Sequence, residues 1–201
     1  MKKQIVGSLT VVATAAVLAG CGHGGTAPPG PATLTSTAAA TPAPENNPVG
    51  DIPDTQVYVA FTPPSGLFTV SVPEGWSRRT DGDATVFTDK LNTERIETRP
   101  LAAAPNTESV SVDELPTIAS STPGYRPGMV TAVRRKTGQV ILMTYQGSSP
   151  PDSVTNKTGT DAIERYEYWH AGTEVILTLS GPVGADNADP WRVVTDSLQW
   201  R

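Results

Sequence analysis

The chain has 201 residues and a formal net charge of −5. That length suits one domain with a tail, and the acidic balance argues against a nucleic-acid binder, whose phosphate contacts need a basic surface. One cysteine excludes an intrachain disulfide and a cysteine-built zinc centre.

Lys2 and Lys3 precede an uncharged apolar run over residues 4–20, which closes on Leu18-Ala19-Gly20 before Cys21. The run is short for a transmembrane helix, which needs about 20 apolar residues, and has the form of an export signal. Leu18, Ala19, Gly20 and Cys21 resemble a bacterial lipobox. The resemblance implies that signal peptidase II cuts before Cys21 and that the new N-terminal cysteine carries a diacylglyceryl thioether. Cleavage would remove two of the 15 basic residues and none of the 20 acidic ones. An anionic bilayer repels so acidic a chain, so the lipid on Cys21 is expected to hold it at the extracytoplasmic face of the cell membrane.

Residues 21–56 are rich in Gly, Ala, Thr and Pro, and many of the 19 prolines fall here, which marks a tail and not an unusual core. Such a segment buries too little apolar surface to offset its ordering entropy, so a disordered tether is expected. A globular domain is expected over residues 57–201.

Within it, residues 66–76 alternate Phe68, Val70 and Val72 against Leu67, Thr69 and Ser71, a strand with one apolar face stopped by Pro73 and turned at Gly75. Residues 83–89 give a second short strand. Residues 95–105 suggest a third, demoted by Pro100 to an edge or irregular piece. Ser111 and Glu114 have capping-box spacing, which predicts a short helix distorted by Pro116, with Leu115, Ile118 and Ala119 facing inward. Residues 128–148 read as a hairpin about Lys136-Thr137-Gly138, and residues 162–181 as a second about Ala171-Gly172. In the second, Glu164, Tyr166 and Tyr168 share a face with Trp169 opposite, and Val175, Leu177 and Leu179 share a face. Asp186, Asn187 and Asp189 precede Pro190. A calcium loop needs a glycine at its sixth position and a late bidentate glutamate; Trp191 holds that position and no glutamate follows. The cluster reads instead as a helix start, with Asp189 as N-cap, Pro190 at the first helical position, and Trp191, Val194 and Leu198 as the buried stripe of a helix running to about Gln199.

The opening strand and its Pro-x-Gly-Trp turn (Pro73, Gly75, Trp76), the hairpin ending at residues 177–181, and the closing helix over residues 189–200 together resemble the Mog1/PsbP-like domains, more closely those of actinobacterial lipoproteins. The resemblance covers about residues 60–200. It implies an α+β fold, an antiparallel sheet flanked by helices as an α-β-α sandwich. It also implies a binding or assembly factor without a shared catalytic motif.

A search for chemistry agrees with that expectation. The domain's one histidine, His170, sits at a hairpin turn, and no Gly-x-Ser-x-Gly elbow, Walker loop or dinucleotide fingerprint occurs. Glu164 and Glu167 fall on opposite faces of a strand, which separates them as a glycosidase pair. No catalytic residue, metal or cofactor is expected. Trp76 and Trp191 read as core. Trp169 and Trp200 are candidate partner-contact anchors. Arg134 and Arg135 with Lys136 form a basic run near a hairpin tip, which reads as solvated turn charge or as a contact for an acidic partner or lipid head group. The expected function is a membrane-anchored, extracytoplasmic, non-catalytic lipoprotein that binds an envelope protein or assists assembly. The alternative is a carrier or sensor of a small apolar envelope ligand, which would need an enclosed apolar cavity of roughly a few hundred Å³.

Overall fold

The computed structural model describes residues 48–152 and 154–201. The signal, Cys21 with its lipobox, and most of the tether lie outside the described residues.

A seven-stranded antiparallel sheet in the order β3-β4-β5-β9-β8-β7-β6 forms the body of the domain. Its strands are β3 Ser77–Asp81, β4 Ala84–Thr88, β5 Thr93–Pro100, β6 Arg126–Arg135, β7 Gly138–Ser148, β8 Thr160–His170 and β9 Thr173–Pro182. A small sheet joins β1 Tyr58–Phe61, β2 Phe68–Pro73 and β10 Gln199–Trp200 in the order β1-β2-β10. A helical stretch over residues 107–121 comprises α1 Thr107–Ser109, a π-helical turn Val110–Glu114 and α2 Leu115–Ser121, and α3 Ala188–Ser197 comes near the end.

Both faces of the large sheet are covered, and the strand period shows how. Val140 of β7, Tyr166 and Tyr168 of β8, and Val175, Leu177 and Leu179 of β9 enter one core with Phe68, Val70 and Val72 of the small sheet and Trp191, Val194 and Leu198 at the α3 end. Ile141 and Met143, the alternate residues of β7, form a second core with Val110 of the helical stretch, flanked by Leu115, Ile118 and Tyr145. The architecture is the expected α+β sandwich, with helices on either side of an antiparallel sheet.

Several local expectations change. β5 is internal, hydrogen-bonded to β4 and β9. Pro100 is its last residue, where a missing N–H interrupts no later rung. The capping box lies five residues before Ser111 and Glu114: Asn106 accepts from the N–H groups of Glu108 and Ser109, and Ser109 Oγ accepts from the Asn106 N–H. Glu114 is thereby free for long-range ion pairs. The last helix starts at Ala188 after Asn187, so Asp189 lies in its first turn and is not the N-cap. It stops at Ser197, because Leu198 turns extended (φ −58°, ψ 132°) and sends Gln199 and Trp200 into β10 beside Thr69 and Phe68. The hairpin at Ala171-Gly172 is as expected, with both residues at positive φ, 45° and 84°.

The acidic-amide cluster that suggested a helix start also has a packing role. Asn187 Oδ1 accepts from the Ile52 N–H at 2.8 Å, and Asn187 Nδ2 donates to Gly50 O and Asn92 Oδ1 at 3.0 Å each. Asn92 Nδ2 also donates to Gly50 O, and Asp51 accepts from the Asp186 N–H. Ile52 is buried in the main core. Residues 50–52, in the segment read as tether, are thus fastened to the residues that lead into α3 and β5.

Candidate functional site

On the face of the large sheet that carries the helical stretch, the helix leaves part of the surface uncovered. An open cleft of about 640 Å³ lies there. The β3–β4 turn (Asp81, Gly82, Asp83) forms one wall and Asp113, Glu114, Thr117 and Ile118 the other. Its floor is Arg95, Glu97 and Arg99 of β5, Arg165 of β8 and Ile176 of β9. Period-two spacing places Arg95, Glu97 and Arg99 of β5 on one face, away from Ile96 in the main core and from Glu94, which shares the face of Ile96.

The cleft's arginines are all bound to carboxylates. Arg95 donates to Asp81 at 2.5 Å and to Glu97 at 3.1 Å. Arg99 donates to Glu114 Oε1 at 2.6 Å and, through Nε, to Glu174. Arg165 donates to Glu114 Oε2 at 2.8 Å and to Glu167 at 2.9 Å, with Glu97 at 3.9 Å. Glu114 thus ties the helical stretch to two strands, one carboxylate oxygen to each arginine. It is the last residue of the π-helical turn, a distortion often found at functional positions.

Glu167 and Glu174 have 0% side-chain exposure. Each gives one oxygen to an arginine, and the other oxygen has no hydrogen-bond partner among the described residues. Burial pushes the Glu167 carboxyl up to about 7, against the attraction of Arg165 and with repulsion from Glu114 and Glu174. Burial also raises Glu174, opposed by its bond to Arg99. Glu114, Glu167 and Glu174 offer oxygens within 4.8 Å of one another. As a divalent-cation site the set fits poorly, because both Glu114 oxygens and one oxygen of each partner already hold guanidinium groups.

The other face holds one further buried acid. Glu94 is buried among Ile52, Tyr58, Trp76, Leu179 and Trp191, and neither its carboxyl oxygens nor the Tyr58 hydroxyl has a hydrogen-bond partner among the described residues. Burial pushes the Glu94 carboxyl well above the usual range and, with the nearby Glu94, takes Tyr58 to about 12. The cavity beside them measures about 10 Å³, the space of one water molecule.

The contact residues expected from sequence fall in separate environments. Trp169 is half-buried and its indole N–H donates to Leu101 O at 2.8 Å. Trp200, also half-buried, meets Phe68 edge-on and stacks on His170 with centroids 5.3 Å apart. Arg134 is exposed. Arg135 is placed differently from a solvated turn charge. Its side chain is 11% exposed, donates to Thr195 Oγ1 and Tyr166 Oη, lies over the Tyr166 ring and faces Asp196. The Tyr166 hydroxyl in turn donates to Glu164 Oε2 at 2.6 Å, on the sheet face opposite Glu167.

The cleft residues were missed in the sequence, although a signal exists. Arg95, Glu97 and Arg99, and likewise Arg165 and Glu167, recur at spacing two inside strands that are otherwise core. Charges at strand period in a doubly covered sheet have to meet partners across the sheet.

No protein-family model and no curated protein sequence matches the chain. Solved structures do. Cyanobacterial PsbP from Synechocystis is similar with a TM-score of 0.52 at 11% identity, over 76% of this chain and 99% of that one. The Saccharomyces cerevisiae Ran-binding protein Mog1p has a TM-score of 0.48 at 11% identity, over 73% and 96%. LpqN, involved in cell envelope biogenesis of Mycobacterium tuberculosis, has a TM-score of 0.43 at 13% identity, over 73% and 91%. The chain spans about half (48%) of a Bacteroides thetaiotaomicron protein that it also matches. The fold is the Mog1/PsbP-like α+β fold that the opening strand, the second hairpin and the closing helix implied.

Proposed function

We propose that this protein is an extracytoplasmic lipoprotein, held at the cell membrane by a lipid on Cys21, whose domain is a non-catalytic module that binds a protein partner at the envelope through the charged cleft. The observation that carries the binding reading is the contrast between two spaces. The open cleft of about 640 Å³ is lined mainly by charged side chains. The cavity between the sheet and α3, where an apolar ligand would be enclosed, measures about 10 Å³. An open, charged surface suits a macromolecular partner; a lipid carrier needs an apolar enclosure tens of times larger than the second space, roughly. The surroundings of His170 also favour a binding role, since the ring stacks on Trp200 and makes no hydrogen bond to a carboxylate among the described residues. The anchor reading rests on the lipobox and on the charge of the chain.

In-cell crosslinking in the native host, followed by mass spectrometry of the purified protein, tests the reading. A specific envelope protein joined through cleft residues is the expected result. A stoichiometric lipid without a protein partner would overturn it in favour of a carrier. Fractionation of Cys21→Ser tests the anchor separately: release from membranes is expected, and retention contradicts it.

A further inference from the structure

Three arginines in one cleft ordinarily suggest a site for phosphate or carboxylate, since guanidinium matches both in a bidentate fork. Here the partners reverse that reading. Arg95 is held by Asp81 and Glu97, Arg99 by Glu114 and Glu174, and Arg165 by Glu114, Glu167 and Glu97. An incoming anion would have to displace a carboxylate from each and leave it unpaired beside itself.

The same pairs leave acid in excess. Five carboxylates line the cleft against three guanidinium groups. Asp83 in the β3–β4 turn and Asp113 on the π-helical turn, one on each wall, are exposed and enter none of the ion pairs among the described residues. Under the floor, the fully buried Glu167 and Glu174 each keep one oxygen without a hydrogen-bond partner among the described residues. The cleft thus has two free carboxylates at its rim and more acids than arginines along its lining. Its arginines are spent inside it, so the field a visitor meets is negative.

We propose that the cleft receives a basic segment of the partner protein, with lysine or arginine side chains seated between Asp83 and Asp113. This rests on the partner-binding reading above and names the chemistry of that partner. Electrostatic matching of this kind sets register and speeds encounter, and its strength falls as salt screens it. The apolar stem of an inserted lysine or arginine can lie against Ile118 and Ile176 while its head reaches the rim acids.

The test uses the full chain in an uncharged maltoside detergent, with a tetralysine peptide as the cationic probe and inorganic pyrophosphate as the anionic one, read by calorimetry at low and high salt. Tetralysine is expected to bind at low salt and to weaken as salt rises, with no competition from pyrophosphate. The double change Asp83→Asn and Asp113→Asn is expected to weaken that binding by about tenfold, with circular dichroism and melting unchanged because both side chains are exposed. Failure of tetralysine to bind, binding indifferent to the double change, or pyrophosphate bound in the cleft each overturns the proposal. The two readings fail separately. A crosslinked envelope protein whose contact segment is acidic or neutral keeps the partner reading and removes this one. Tetralysine binding that depends on the rim acids, with no protein crosslinked in cells, does the reverse.

Discussion

Replacing Glu167 with Gln probes the most unusual electrostatic feature of the cleft floor. Glu167 is fully buried and bonded to Arg165 through one oxygen, and the other oxygen has no partner among the described residues. In the unfolded chain it ionises near 4.5; in the folded protein burial lifts it to about 7. A carboxyl raised on folding stabilises the fold in its protonated form. That contribution is complete below the unfolded value and is lost as pH rises through the folded one. One pKa unit corresponds to about 1.4 kcal/mol, so the whole effect is roughly 3 kcal/mol. Glu174 beside it is raised by burial as well, so the effect is shared between neighbouring carboxyls. Gln keeps an acceptor for the Arg165 Nε–H and cannot ionise. Urea unfolding of the wild type and of Glu167→Gln, followed by tryptophan fluorescence from about pH 5 to about pH 8, should show the wild type losing about 2–3 kcal/mol relative to the variant. Taking the difference between the two proteins removes the parallel contribution of Glu94. A difference that stays constant across this range would refute the reasoning, as would one that moves in the wild type's favour at high pH.

Other perturbations follow from packing. Leu177→Ala, at a fully buried position in the main core, should cost about 2–5 kcal/mol in urea unfolding. Gly128→Ala places a methyl group 2.2 Å from Thr144 O, a backbone atom that cannot swing aside, and should lower the melting temperature where Gly66→Ala, with open space around its Cβ, strains only its own backbone. Asn187→Ala removes the acceptor for the Ile52 N–H and two donated bonds. It should cost about 1–3 kcal/mol and raise hydrogen exchange at residues 50–52 before the rest of the domain.

The fold was legible wherever apolar residues kept the period of their element. Phe68, Val70 and Val72, Tyr166 and Tyr168, and Trp191 with Val194 are all buried on the faces their spacing assigned. What escaped notice lacked that pattern. β3 reads Ser-Arg-Arg-Thr-Asp and is exposed along its whole length, so nothing in its residues signals a strand; its place comes from pairing with β4. β10 is two residues long and exists because Leu198 leaves the helix early. The helical stretch is legible but its start is not, because Ser111 and Glu114 stand at capping distance while the residue that caps it, Asn106, lies five positions before Ser111. The cleft was the least legible part. Its ion pairs join β3, β5, β8, β9 and the π-helical turn, separated by as many as 75 residues (Arg99 to Glu174), and only the strand order brings them together. The tryptophans, Arg134 and Arg135 are conspicuous in the local sequence, yet none of them lines the cleft. Arg135 proved to be tied inward by Tyr166 and Thr195.

The central claim is that the cleft is the surface that meets a partner in the cell. A photo-crosslinking amino acid at Thr117, exposed on the cleft wall, tests it against the same group at Val193, exposed on α3 and packed by neither wall. The account predicts one discrete adduct with an envelope protein from Thr117 and none from Val193. A discrete adduct from Val193 with none from Thr117 would contradict it and move the binding surface to α3.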